Sequence, residues 1–184
     1  MTIDMTRHGG SQELAVAECI DNHIGTWRVR TDFQPDMEED GKTQRGVTFI
    51  EAEYPYKPSM QEVKDFVYGV INIQTDEKIL TGFVWNGLPV WLSPENQRNF
   101  SEADRKAEKN PDILPIVFKI GEQDGQPVYH TFETYEELDG FYTQAFAYIQ
   151  RCLVEGWQRK DGFDWTPYEE ILNPIVENQE NMEE

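Results

Sequence analysis

The sequence predicts an α+β fold: a small antiparallel sheet built from hairpins, packed against two or three helices, with a long amphipathic helix toward the carboxy terminus. Three observations lead there. Asn86-Gly87 lies between the apolar runs Phe83-Val84-Trp85 and Leu88-Pro89-Val90-Trp91, and both residues tolerate the positive φ that a two-residue hairpin turn demands. Leu138, Phe141, Tyr142, Ala145, Phe146, Ile149, Cys152 and Leu153 recur at three- and four-residue spacing, the period of one helical face. Trp27, Val29, Thr31 and Phe33 alternate with Arg28, Arg30 and Asp32, the period of a half-buried strand.

Along the chain, residues 11–24 fit neither period cleanly: Leu14, Val16, Cys19 and Ile20 suit a short helix or a strand followed by a turn. Residues 26–33 form the alternating strand, and residues 35–41 read as an exposed acidic loop. A second strand over residues 46–56 centres on Val47, Thr48, Phe49 and Ile50 and is stopped by Lys57-Pro58. Ser59-x-x-Glu62 is a capping box, in which hydroxyl and carboxylate each satisfy one free amide. The helix it opens carries the stripe Val63, Phe66, Val67, Val70 and Ile71, weakened slightly by Gly69.

After the Asn-Gly hairpin, Pro89 has no N–H to donate, so its strand is expected at an edge there. Ser93-Pro94-Glu95 starts a helix with a cap, a proline inside it and an acid in the first turn. That helix runs to residue 109, with Phe100, Ala103 and Ala107 as its few core candidates, and Asn110-Pro111-Asp112 ends it. Residues 114–120 and 127–132 form a second hairpin around the loop 121–126. Thr134-x-x-Glu137 is a second capping box opening the long helix, and Gly156 is expected to close it. From Glu169 onward the acids are unbalanced by any Lys or Arg, and Pro174 precludes a long helix, so residues 169–184 read as an acidic tail.

The 184 residues suit one domain, or one domain with a small appendage, and 38% hydrophobic with 12% aromatic residues is enough for a real core. The net charge of −19 repels nucleic-acid phosphates and anionic membranes and attracts basic partners. Cys19 and Cys152 make no disulfide framework, and Cys152 falls on the apolar stripe as a small core residue. The amino-terminal residues hold no apolar run of a secretory signal, and no stretch approaches membrane-spanning length. A protein folded in a reducing cytoplasm is expected.

No catalytic set can be assembled. His8, His23 and His130 lack metal-ligand spacing; His8 sits near an end expected to be flexible, and His130 on a strand reads as hydrogen-bonded or exposed. Of the four serines, Ser59 and Ser93 are helix caps, and Ser11 and Ser101 have no nucleophile elbow around them. The acids at Asp36, Glu38 and Asp40 before Gly41 look superficially like a calcium loop but lack the closing Glu. Residues 121–125 lack the lysine of a phosphate loop and carry two acids. The expectation is no enzyme, no cofactor, no metal and no small-molecule substrate. The tryptophans Trp85, Trp91, Trp157 and Trp165 are the candidate interface residues, since Trp dominates protein-contact hot spots; the competing reading places them in the core. Arg159 and Lys160, after Trp157, make a basic spot in an acidic chain, which also complements a helix C-terminus.

Several blocks carry a resemblance. The run from Asp76 to Gln97 containing Gly82-Phe83-Val84-Trp85-Asn86-Gly87-Leu88-Pro89-Val90-Trp91-Leu92-Ser93, the strands Leu114-Pro115-Ile116-Val117-Phe118-Lys119-Ile120-Gly121 and Pro127-Val128-Tyr129-His130-Thr131-Phe132-Glu133, and the block Gly156-Trp157-Gln158-Arg159-Lys160-Asp161 are similar to uncharacterised phage and prophage proteins of gut bacteria. Tyr54-Pro55-Tyr56-Lys57-Pro58-Ser59 resembles the lead-in of the same proteins. The similar region covers residues 46–168 and resembles a domain of unknown function often found near phage tail genes. The resemblance implies a virion or tail-associated structural protein that contacts other phage structural proteins, or itself as a homo-oligomer. It carries over no catalytic residue. Residues 1–45, partly β, and the tail 169–184 lie outside it, where a particular partner would be selected. Competing expectations are a transient tail-fibre assembly factor and an acidic nucleic-acid mimic that inhibits a host protein. Arg151, Arg159 and Lys160 interrupt the phosphate-like row the mimic would need.

Overall fold

The computed structural model describes residues 2–174. In chain order the strands are β1 (Arg7–Gly10), β2 (Ala17–Asp21), β3 (Thr26–Met37), β4 (Gln44–Tyr54), β5 (Phe83–Trp85), β6 (Leu88–Val90), β7 (Ile116–Gln123) and β8 (Gln126–Phe132). The helices are α1 (Met60–Thr81), α2 (Pro94–Lys109), α3 (Tyr135–Asp161) and α4 (Thr166–Leu172), with a single 3-10 turn at Pro111–Ile113. Paired strands in antiparallel sheets with long helices make this an α+β protein, as the sequence predicts. The described residues fall into two compact units, residues 2–70 with 162–174, and residues 71–161. The expected boundary between residues 45 and 46 falls inside β4, because the amino-terminal strands complete one sheet with it.

The first unit holds a four-stranded antiparallel sheet in the order β1-β4-β3-β2. The ambiguous stretch 11–24 contains β2, whose irregular pattern reflects a register shift between Cys19 and Asp21 where it pairs with β3. The Asp21 carboxylate then accepts from the amides of His23 at 2.8 Å and Ile24 at 3.2 Å and turns the chain. β3 runs further than its alternation suggests: Pro35 and Asp36, expected in an acidic loop, pair with Val47 and Gly46. The remaining turn is held by Asp40, whose carboxylate accepts from the amides of Lys42 and Thr43 at 2.8 and 2.9 Å. His8 lies in β1 opposite Phe49 rather than in a loose end. The capping box forms as expected, Glu62 Oε2 accepting from the Ser59 amide at 2.8 Å and Ser59 Oγ from the Glu62 amide at 3.3 Å. The buried apolar residues include Ala17, Val29, Phe49, Ile50, Ala52 and Tyr54 on the sheet and Val63, Phe66, Val67 and Val70 on α1. Glu169 to Leu172, read as the start of an acidic tail, belong to α4; Leu172 and Tyr168 are buried, and the Tyr168 hydroxyl donates to the Arg30 carbonyl at 2.6 Å. The rest of that tail, from residue 175, lies outside the described residues.

The second unit is built on the two predicted hairpins. Asn86 and Gly87 take φ of 50° and 79°, and Trp85 pairs with Leu88 across the turn. The second hairpin is tighter than the six-residue loop expected: Gln123 pairs with Gln126, and the turn is Asp124-Gly125 at φ of 51° and 73°. Asp-Gly supports the same left-handed pair of conformations as Asn-Gly, so a two-residue turn suffices. The hairpins are stitched together by the Trp91 amide, which donates to the Ile120 carbonyl at 2.9 Å. Pro89 has no N–H to donate, and the two hairpins remain separate two-stranded sheets, with no β6–β7 ladder among the described residues.

Helices α2 and α3 cover one side of these hairpins. Ser93 Oγ caps α2 through the Asn96 amide at 3.2 Å, and Phe100, Ala103 and Ala107 are its buried residues, the three the sequence nominates. Thr134 Oγ1 caps α3 through the Glu137 amide at 3.3 Å, while the Glu137 carboxylate reaches back to the Glu133 amide at 3.3 Å. Gly156 is not the C-cap. The helix continues to Asp161, and Gly156 is buried where a Cβ would come within 2.7 Å of Thr75 Oγ1 on α1, so glycine here permits close helix packing. The core is aromatic: the Phe141 ring lies 4.9 Å from Phe100, 5.1 Å from Trp85 and 5.1 Å from Phe132. Cys152 is buried in it, as expected of a small core residue.

Candidate protein-contact face

Strand pleat divides the second unit's hairpins into two unlike faces. Phe83, Trp85, Val90, Ile120 and Phe132 point to the core, and the residues between them point outward. On β5, β7 and β8 the outward set includes Val84, Val117, Lys119, Tyr129 and Thr131, all exposed. Trp91, just past β6, joins them. Lys119 Nζ sits 5.3 Å from the centroid of the Trp91 ring and 3.1 Å from Glu122 Oε1. Register explains the grouping: Lys119 is directly opposite Tyr129, and Val117 directly opposite Thr131, so their side chains rise side by side. Four large apolar side chains (Val84, Trp91, Val117 and Tyr129) are thus exposed on the outward side of the paired hairpins, and among the described residues of this unit the buried side faces the core.

The four nominated tryptophans part company. Trp85 is 4% exposed and packs edge-on to Phe141 and His130, so it stabilises the core and offers nothing to a partner. Trp91 is 39% exposed on the outer sheet face. Trp157 is 53% exposed on α3. Trp165 is half-buried in the first unit, its ring 4.4 Å from Phe163 and 5.6 Å from Tyr68, with Lys64 Nζ 5.4 Å above it. Tryptophan content alone could not separate these roles. The hairpin register could have separated the first two, since Trp85 and Trp91 stand on opposite sides of the pleat once Asn86-Gly87 fixes the turn. Val84, Val117 and Tyr129 were missed because exposed apolar residues on short strands look like core residues until the covering helices are located.

Several polar side chains elsewhere are engaged within the fold. His130 Nε2 lies 2.8 Å from Glu137 Oε1, and its ring packs edge-on to Trp85 at 4.7 Å, so it links β8 to the start of α3. Arg30 is 3% exposed although its place in the alternation reads as outward. Its guanidinium is held by Glu18, by Glu51 Oε2 at 3.3 Å and by the Ala15 carbonyl at 2.9 Å. Burial raises the phenols of Tyr54, Tyr148 and Tyr168 to about 12, which keeps all three neutral and donating. Asp104 Oδ1 is buried without a hydrogen-bond partner among the described residues, and desolvation, then the charges of Asp139 and Glu108, raise its carboxyl above the ordinary range. Among the described residues no cluster of three His, Cys, Asp or Glu side chains could hold a metal ion, and no helix is long and apolar enough to cross a membrane. Set against protein-family models, curated proteins and solved structures, the chain matches none.

Proposed function

We propose that this protein is a structural component of a phage particle, associated with its tail, and that it acts by protein–protein contact through the outer face of the hairpin sheet. The observation that carries the contact reading is the exposure of Val84, Trp91, Val117 and Tyr129 together on one face. Large apolar side chains gathered on a folded surface mark interaction sites, and aromatic ones supply most of the binding energy. Lys119 beside Trp91 gives that face a cation in a chain of net charge −19. The phage setting is supported by the resemblance of the hairpin, the paired strands and the Gly156–Asp161 block, all of which lie in the second unit.

Quantitative mass spectrometry of gradient-purified particles tests this reading. A fixed copy number per particle is the expected result, and its symmetry would point to head, neck or tail. Abundance in the infected lysate with absence from particles would overturn it in favour of a transient assembly factor. Replacing Trp91 and Tyr129 by Ser should lower incorporation at least tenfold while the purified variant keeps its helical circular dichroism.

A further inference from the structure

Helix α3 carries more apolar surface than its own unit covers. Leu138, Phe141, Ala145, Tyr148 and Cys152 fill the inward side. Beside them, at about 100° per residue, Phe146, Leu153 and Trp157 fall within roughly 20° of one line along the helix, with Ile149 and Val154 on its flanks. Phe146 is 52% exposed and Trp157 53%, and Val154 is exposed as well. At about 1.5 Å per residue this stripe is roughly 16 Å long, about three helical turns. At its amino-terminal end it opens into a groove of about 330 Å³ between α2 and α3, with Leu92, Phe100 and Ala145 in its lining and Tyr142 and Phe146 on the α3 side. The uninterrupted apolar stripe in the sequence is therefore wider than the fold needs.

Charge selects the occupant. The groove lining contains no carboxylate, and its one charged residue is Arg98. The Arg98 side chain is exposed and makes no hydrogen bond or ion pair among the described residues. Two acids lie one turn away on α2: Glu102 is already engaged by Arg105 at 2.7 Å and Lys106 at 3.2 Å, and Glu95 makes no ion pair with Arg98 among the described residues. Residues 143–160 hold the bases Arg151, Arg159 and Lys160 against the single acid Glu155; of these only Lys160, about 40° from the stripe, lies on its side of the helix, and Glu155 pairs with Lys78. This is the reverse of the balance in a chain with 35 acids and 16 bases.

We propose that the stripe and groove dock an acidic amphipathic helix of a partner protein, with its apolar face on Phe146, Leu153 and Trp157 and a carboxylate on Arg98. A straight apolar stripe along one helix beside a groove fits the ridges of a second helix. A free guanidinium at the rim fixes the register of the partner's carboxylate. This surface lies on the helix side of the unit and shares no residue with the outer sheet face, so the two can fail separately.

Fluorescence anisotropy on the full chain tests it, with a labelled helical peptide of leucines at three- and four-residue spacing and glutamates elsewhere, and its leucine–lysine counterpart. The wild-type chain should bind the glutamate peptide at least tenfold more tightly than the lysine peptide, despite its net negative charge. Arg98→Glu should abolish that preference, and Phe146→Ser and Trp157→Ser should each weaken binding about tenfold. Val84→Ser, on the sheet face, should leave binding unchanged. Because the four substituted side chains are exposed, circular dichroism of each variant should match the wild type. A preference for the lysine peptide, or glutamate-peptide binding indifferent to Phe146 and Trp157, would overturn the proposal. So would binding to neutral phosphatidylcholine vesicles that Phe146→Ser abolishes while peptide binding is absent, which would reassign the stripe to a lipid surface.

Discussion

The four-stranded sheet of the first unit and the two hairpins of the second treat their outward faces in opposite ways. In the first unit, one face carries a cross-strand ladder of Glu18, Arg30, Glu51, Arg28 and Glu53, with Arg28 2.7 Å from Glu53 and Arg30 3.3 Å from Glu51. In the second unit, the corresponding face carries Val84, Trp91, Val117 and Tyr129 with Lys119. The ladder satisfies its own charges within the chain. The apolar face gains from being covered and has nothing in its own unit to cover it. The strands pair antiparallel in both units, so the difference comes from the residues at the outward positions.

The comparison is sharpened first in the aromatic core beneath the apolar face. Phe141→Ala removes the ring that touches Phe100, Trp85 and Phe132 and should cost about 4 kcal/mol, read as a drop in the urea midpoint. Next comes the ladder: Arg30→Ala leaves Glu51 and the Ala15 carbonyl without their buried partner and should cost about 3 kcal/mol in the same measurement. Arg30→Ala without such a loss would show that the ladder is surface decoration and that the contrast between the sheets is weaker than drawn.

A smaller effect of opposite sign is expected at Asp104. Its carboxyl is raised above the ordinary value of 3.8 by desolvation first and by Asp139 and Glu108 after it. A raised carboxyl favours the folded state while it is protonated, below the ordinary value, and that contribution is lost as the pH rises through the raised value. Asp104→Asn should therefore stabilise the protein by about 1 kcal/mol at pH 7, with the gain fading in thermal melts as the pH falls to about 3. The smallest stability effect belongs to the outer face itself. Val117→Ser with Tyr129→Ser should change the unfolding free energy, read from urea melts, by no more than about 0.5 kcal/mol, because those side chains are already exposed. A large loss there would mean that the face supports the fold rather than meeting a partner.

Much of the fold is legible in local sequence. The Asn86-Gly87 turn, the Ser59 and Ser93 caps and the three buried residues of α2 follow from short-range chemistry, and the structure places them as expected. Asp124-Gly125 carried the same signal as Asn86-Gly87, yet the polar residues around it made a longer loop look reasonable. Gly156 reads as a helix stop because glycine is commonest there, but the approach of Thr75 gives it a packing role that no neighbouring residue announces. Glu169 and Glu170 read as tail because their charge is local, whereas the burial of Tyr168 and Leu172 depends on the Arg30 carbonyl far back in the chain.

The candidate site divides in the same way. The sequence by itself determined that the chain would form hairpins with a long apolar-striped helix, carry a strongly negative charge, and set tryptophans around its turn and helix end. These are matters of period, capping and composition, which act over a few residues. Only the tertiary structure decided that Trp85 is core while Trp91 is surface, that Arg30 is buried, and that Phe146, Trp157 and Arg98 are left facing water. Burial depends on which element covers which face, and that is settled by packing between residues distant in the chain.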